Sequence, residues 1–114
     1  MTFPRSKYGV RQDAAGKAAR TYNGVLFDSK AEAAHCMMLD ILVKAGKIHS
    51  YERQVNVPLE VNGVKVATIR PDFRLRYPDG RTVLQDVKGF LTPEWKLKHK
   101  LFKAIHGYEI ELVK

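Results

Sequence analysis

A chain of 114 residues suits one domain with one modest core, and 20 Lys and Arg against 12 Asp and Glu leave a formal charge of +8 that favours a polyanionic partner. No apolar run approaches the roughly 20 residues of a membrane span and no signal-peptide pattern opens the chain, so no membrane partner is expected. The single cysteine, Cys36, excludes an intramolecular disulfide, reads as a small buried residue and fits a reducing, cytoplasmic setting; no Cys/His spacing points to zinc.

Residues 1–20 carry Arg5, Lys7, Arg11, Lys17 and Arg20 against Asp13, with few large apolar residues. They read as a basic flexible arm with a little helix around Asp13–Ala19, ahead of a single domain over 21–114. Such an arm is either a solvated tail or a phosphate-contacting segment, and Arg5, Lys7 and Arg11 are its candidate DNA contacts. Tyr22–Phe27 reads as a turn and a short strand. Ser29-Lys30-Ala31-Glu32 matches a capping box, and the helix it opens should run to about Ala45, with Gly46 as the stop. Ala34, Met38, Ile41, Leu42 and Ala45 are its expected core stripe, and Lys30, Asp40, Lys44 and Lys47 its wet side. Glu32 falls in line with Leu39 and Val43 at about 100° per residue, at the edge of an apolar arc. It is either a capping acid or a carboxylate turned into a functional cleft.

Ile48–Leu59 holds a strand in which Val55, Val57 and Leu59 alternate with Gln54, Asn56 and Pro58. Pro58 marks an edge or a strand end. Asn62-Gly63 is a hairpin signal, with Val64–Ile69 as the return strand. Gln54 reads either as a neighbour of an acidic site or as a surface amide.

Alternation resumes over Asp72–Tyr77 and Val83–Lys88, joined by Pro78-Asp79-Gly80. A three-residue loop with a glycine bulge sets Tyr77 against Arg81, Leu75 against Val83 and Asp72 against Asp86. Asp72, Asp86 and Lys88 then share one face, and Phe73, Leu75, Val83 and Val87 the other. A two-residue loop would split the acids across the sheet, because a one-residue slip flips a strand's side chains. Like charges facing each other destabilise a sheet. Either Arg74 or Arg76 or solvent compensates each acid separately, or the pair holds a divalent cation. Mg²⁺ takes oxygen ligands and is commonly held by one or two carboxylates with phosphate and water. Lys88 would then orient or deprotonate the attacking water.

Thr92-Pro93-Glu94 opens a second helix, with Leu97, Leu101 and Ile105 as its stripe, Phe102 beside it and Gly107 at its end. Lys96, Lys98, His99, Lys100 and Lys103 make it basic, either as a solvated face or as a phosphate-contacting one. Tyr108–Val113 closes the chain as a strand. The expected fold is α/β, a mixed central sheet flanked by helices in the order α-β-β-β-α-β.

Pro71-Asp72 and Asp86-Val87-Lys88, with Glu32 on the preceding helix, resemble the PD-(D/E)xK nuclease superfamily. Further blocks are Tyr22-Asn23-Gly24, Phe27 to Ala33, Gln54, Asp86-Val87-Lys88-Gly89 and Lys98 to Lys103. Taken in order along nearly the whole chain, they look like a family of small phage-encoded members near the Holliday-junction resolvases. The resemblance implies a restriction-endonuclease-like core, Mg²⁺-dependent phosphodiester hydrolysis with Mn²⁺ as a substitute, branched DNA as substrate and a homodimer. It implies Asp72, Asp86 and the Val87 carbonyl as metal ligands, Lys88 assisting the nucleophile and Glu32 completing the site, with Ser29 and Gln54 around it. Asp86 stands where many members carry Glu, which is within the pattern. The competing readings are another DNA nuclease, of single-strand, flap or transposition type, and a non-catalytic basic DNA-binding protein whose acids are structural.

Overall fold

In a computed structural model, residues 13–87 and 90–113 are described. Arg5, Lys7, Arg11 and Lys88 lie outside them. The first element, α1 (Ala14–Ala19), is capped by the Asp13 carboxylate, which accepts from the Gly16 amide at 2.7 Å. Arg20 is buried, and its guanidinium donates to the Phe27 carbonyl at 3.2 Å. The packed part of the chain thus begins ahead of residue 21, because this arginine closes the loop back onto the core. The hairpin β1 (Thr21–Tyr22) and β2 (Val25–Leu26) turns on Asn23 and Gly24, both at positive φ.

Helix α2 (Lys30–Lys44) starts at Ser29, whose hydroxyl accepts from the Glu32 amide at 3.1 Å. Its buried face is not the expected stripe. Glu32, Ala33, His35, Cys36 and Leu39 are buried, whereas Ala34, Met38 and Ala45 are exposed and Ile41 is 60% exposed; of the expected stripe Leu42 alone, half-buried, packs against the core. At about 100° per residue, Glu32 and Val43 fall beside Leu39, and Ile41 lies almost opposite. The sheet takes this arc because its polar members have partners there. Asp40, expected on the wet side, accepts from the hydroxyls of Tyr22 and Tyr51, each at 2.5 Å.

The strand expected within Ile48–Leu59 is two strands, β3 (Ser50–Arg53) and β4 (Val57–Val61). Gln54 separates them at φ 51, a conformation that breaks any strand. Strand β4 pairs with β5 (Val64–Ile69) across Asn62-Gly63, with a bulge at Leu59/Glu60. Next come β6 (Phe73–Arg76) and β7 (Thr82–Val87), in the register the three-residue loop demands: Leu75 faces Val83 and Phe73 faces Gln85. The Tyr77 amide donates to the Arg81 carbonyl at 2.8 Å, and Gly80 takes φ 88. Helix α3 (Pro93–His106) follows, capped by Thr92 and ended by Gly107, before β8 (Glu111–Val113). Phe102 is the buried centre of α3, flanked by Leu101 and Ile105, while Leu97 is 69% exposed. Leu97 sits about 140° round the helix from Phe102, so the larger ring decides which face packs.

The central sheet runs β3-β6-β7-β8, antiparallel except for the parallel pair β7/β8, whose crossover is α3. The fold is mixed α/β. Phe73 and Leu75 join Phe27, Ala33, Cys36 and Leu39 in the core under α2. Leu84 joins Phe102, Leu59, Ile69 and Ile110 on the opposite face, under α3 and the β4–β5 hairpin. Among the described residues no helix is long and apolar enough to cross a membrane.

Candidate acidic site at the end of the central sheet

The register of β6 and β7, continued one residue beyond the Phe73–Gln85 pair, brings Asp72 against Asp86 on the α3 face. The two are locked to each other through the backbone. Asp86 Oδ1 accepts from the Asp72 amide at 2.9 Å, and Asp72 Oδ2 accepts from the Val87 amide at 2.9 Å. Asp86 is 0% exposed and Asp72 9%. The other oxygen of Asp86 accepts from the Trp95 indole N–H at 2.7 Å. Its two donors are therefore neutral, and no described lysine or arginine pairs with it. A carboxylate removed from water with only neutral donors is costly.

Arg74 and Arg76 do not compensate the pair. Both turn to Glu52 on β3, at 2.7 and 3.3 Å, and the Arg74 hydrogen bond foremost holds the Glu52 carboxyl below its usual range. Glu32 comes from the other side of the sheet. It is 3% exposed and faces the Arg53 guanidinium at 3.8 Å, which lies over the Phe27 ring. Among the described residues, no group of three or more His, Cys, Asp and Glu is placed to hold a metal ion. Asp72 and Asp86 are thus brought together, and Glu32 is not gathered with them. Gln54 is tied to the same end of the sheet. Its amide donates to the Asp72 carbonyl at 2.9 Å, and its side chain accepts from Arg70 at 2.6 Å. Ser29 serves as the cap of α2. Lys88 and Gly89 lie outside the described residues.

On α3, Lys98 pairs with Glu94 at 3.0 Å and Lys103 with Glu109 at 2.9 Å. Lys96 and Lys100 are exposed and belong to no described ion pair. His99 is engaged within the fold: its Nε2 accepts from the Ile110 amide at 3.1 Å and its ring lies tilted against that of Trp95, centroids 4.7 Å apart.

Two features escaped the sequence. Trp95 contacts Asp86 across nine positions, and only the Thr92-Pro93 cap, which returns the chain over the end of β7, hints at it. The other is a polar chain along the α2 face of the sheet: His35 Nε2 donates to Gln85 Oε1 at 2.7 Å, and Gln85 Nε2 donates to Glu111 at 2.9 Å. The carboxylate end of this chain fixes the orientation of the glutamine amide and hence the proton on His35 Nε2.

As oxygen donors at the end of β7, the two carboxylates suit a hard cation that keeps its waters. The Trp95 contact fills one of the positions such an ion needs. No curated protein and no solved structure matches the chain. The family model described as "Protein of unknown function (DUF1064)" matches residues 5–112, and the chain belongs to that family.

Proposed function

We propose that the chain is a Mg²⁺-dependent, structure-selective DNA endonuclease with a restriction-endonuclease-like core. It acts in the cytoplasm as a homodimer on branched DNA, with four-way junctions the leading substrate. One observation carries this reading: Asp86, wholly buried, lies beside Asp72 with only neutral donors on it among the described residues. Two carboxylates held this close, one of them served by neutral donors alone, form a site whose cost a divalent ion offsets.

The Asp72 and Asp86 carboxylates and the Val87 carbonyl are the groups that would hold the ion. Bound there, it supplies Lewis-acid stabilisation of a phosphoryl oxygen and a lower pKa for its water. Lys88, two residues after Asp86 in the sequence, is the residue whose role would be to hold the attacking water and to neutralise charge that develops on the phosphate. Glu32, which the resemblance names as completing the site, is engaged by Arg53 on the other side of the sheet and is not among the groups that would hold the ion. Lys96 and Lys100 are the α3 lysines left over for phosphate contact, and Arg5, Lys7 and Arg11 add to them. Selectivity comes from DNA shape and the spacing of two sites in the homodimer.

The test is incubation of labelled four-way junctions, flaps, linear duplex and single strands in Mg²⁺, with Asp86→Asn in parallel. Symmetric cuts at the junction, abolished in the variant, are expected. A wild type inert on all four substrates in Mg²⁺ and Mn²⁺ overturns the proposal. The same contact between Trp95 and Asp86 favours a second reading, a basic DNA-binding protein with structural acids. Titration of Mn²⁺ followed by calorimetry separates them, since structural acids take up no ion.

A further inference from the structure

Two hydrogen bonds hold the Asp86 carboxylate among the described residues. Its Oδ1 points back into the hairpin at the Asp72 amide, and its Oδ2 points toward α3 at the Trp95 indole. An ion that approaches Oδ2 from the α3 side meets Trp95, the one described side chain that donates to this carboxylate. The backbone of Trp95 is fixed, because its amide donates to the Thr92 hydroxyl at 3.1 Å in the first turn of α3. The indole can leave by rotation of the side chain alone, without melting the helix. It is not wedged into either core cluster, and its ring rests on His99, itself held by the Ile110 amide.

We infer that Trp95 is the positioning and gating residue of the cation site: its indole N–H holds the place on Asp86 Oδ2 that a divalent cation takes, and cation binding turns the ring out. This rests on the proposed cation site at Asp72 and Asp86. In the closed state the N–H offsets part of the charge of a carboxylate buried without a described cation. In the open state the cation does so. The two compete for one oxygen, so the apparent affinity of the wild type is lowered by the population of the closed state. The chain has one tryptophan, so its emission reads this position alone.

The experiment is titration of the full chain with Mg²⁺ and with Ca²⁺, following tryptophan emission and, separately, calorimetric heat. Trp95→Phe and Asp86→Asn are measured by calorimetry in parallel. Trp95→Phe keeps an aromatic ring against His99 and removes the N–H. Expected are a red-shifted wild-type emission that saturates with the heat and an affinity raised about tenfold in Trp95→Phe, the scale of one hydrogen bond to a charged group. No binding should remain in Asp86→Asn. Heat without any emission change overturns the gate and leaves the cation site standing, and this holds even where Trp95→Phe does not fold. An unchanged or weakened affinity in folded Trp95→Phe does the same. Absence of heat in both wild type and Trp95→Phe overturns the cation site, and the gate with it.

Discussion

Burial separates the acids of this protein. Asp86 is enclosed by backbone and indole donors, Asp72 reaches the Val87 amide, and Glu32 is held by a cation across the sheet. The pairing of Asp72 with Asp86 was legible because strand register is a parity problem, and a loop of known length solves it. The place of Glu32 was only half legible: periodicity put it on the Leu39 arc, but Arg53 is far from it in sequence. Glu32→Gln should destabilise the fold by about 1–3 kcal/mol, since it leaves a partly buried guanidinium without its charge partner. Mg²⁺ affinity measured by calorimetry should not change, because Glu32 is not gathered with the acid pair. A collapse of that affinity would return Glu32 to the ligands. Lys88→Ala should lower turnover on junctions about a hundredfold or more while leaving junction affinity in Ca²⁺ nearly unchanged, the pattern of a group that acts in the transition state. Full activity would overturn the role assigned to Lys88.

Hairpins and helix ends were the most readable elements, because Asn-Gly, Pro-Asp-Gly, Ser and Thr caps and C-terminal glycines act through local backbone geometry. Helix faces were less readable. In α2 and α3 the apolar arc is wider than the buried one, and partners on the sheet choose which part docks. Ile41 and Leu97 are exposed for that reason. The break at Gln54 had no local signal, since its left-handed conformation is imposed by the sheet change between β3 and β4. Gly80 sits in the turn whose length sets the register of the acid pair, at φ 88 with open space around a would-be Cβ. Gly80→Ala should therefore cost about 1 kcal/mol through backbone strain alone, read by urea unfolding. For α3, charge reversal of Lys96 and Lys100 should weaken DNA binding and reduce the slope of log affinity against log salt by about 0.9 for each phosphate no longer neutralised. Reversal of Lys98 and Lys103 should do less, because Glu94 and Glu109 already engage them. Equal effects from the two pairs would return the helix to a diffuse, solvated charge.

At the scale of the molecule, one cluster joins three elements. Tyr22 from β1 and Tyr51 from β3 both donate to Asp40 of α2, and Cys36 Sγ lies 3.2 Å from the Tyr51 hydroxyl. The hydrogen bond from Tyr22, then that from Tyr51, lowers the Asp40 pKa below 3.8. Burial first, then the bond to Asp40, raises that of Tyr51 above 10.0, and burial raises that of Cys36 above 9.0. Asp40 therefore binds protons less readily folded than unfolded. Its contribution is complete above the unfolded pKa and disappears as pH falls through the folded one. Glu52 and Glu109, held low by Arg74 and Lys103, act in the same direction from 4.5 downward. Tyr51 and Cys36 run the opposite way: their contribution is complete below the unfolded pKa values and disappears as pH rises beyond 9.0 and 10.0. Urea unfolding across pH should accordingly show a plateau from about 5 to 8.5 with a fall on either side. Asp40→Asn should flatten the acid limb and, by removing the charge that helps hold the tyrosines protonated, part of the alkaline limb too. Tyr51→Phe should flatten the alkaline limb and cost about 1–2 kcal/mol on the plateau. An Asp40→Asn protein with both limbs unchanged would show that these three elements are joined by apolar packing alone.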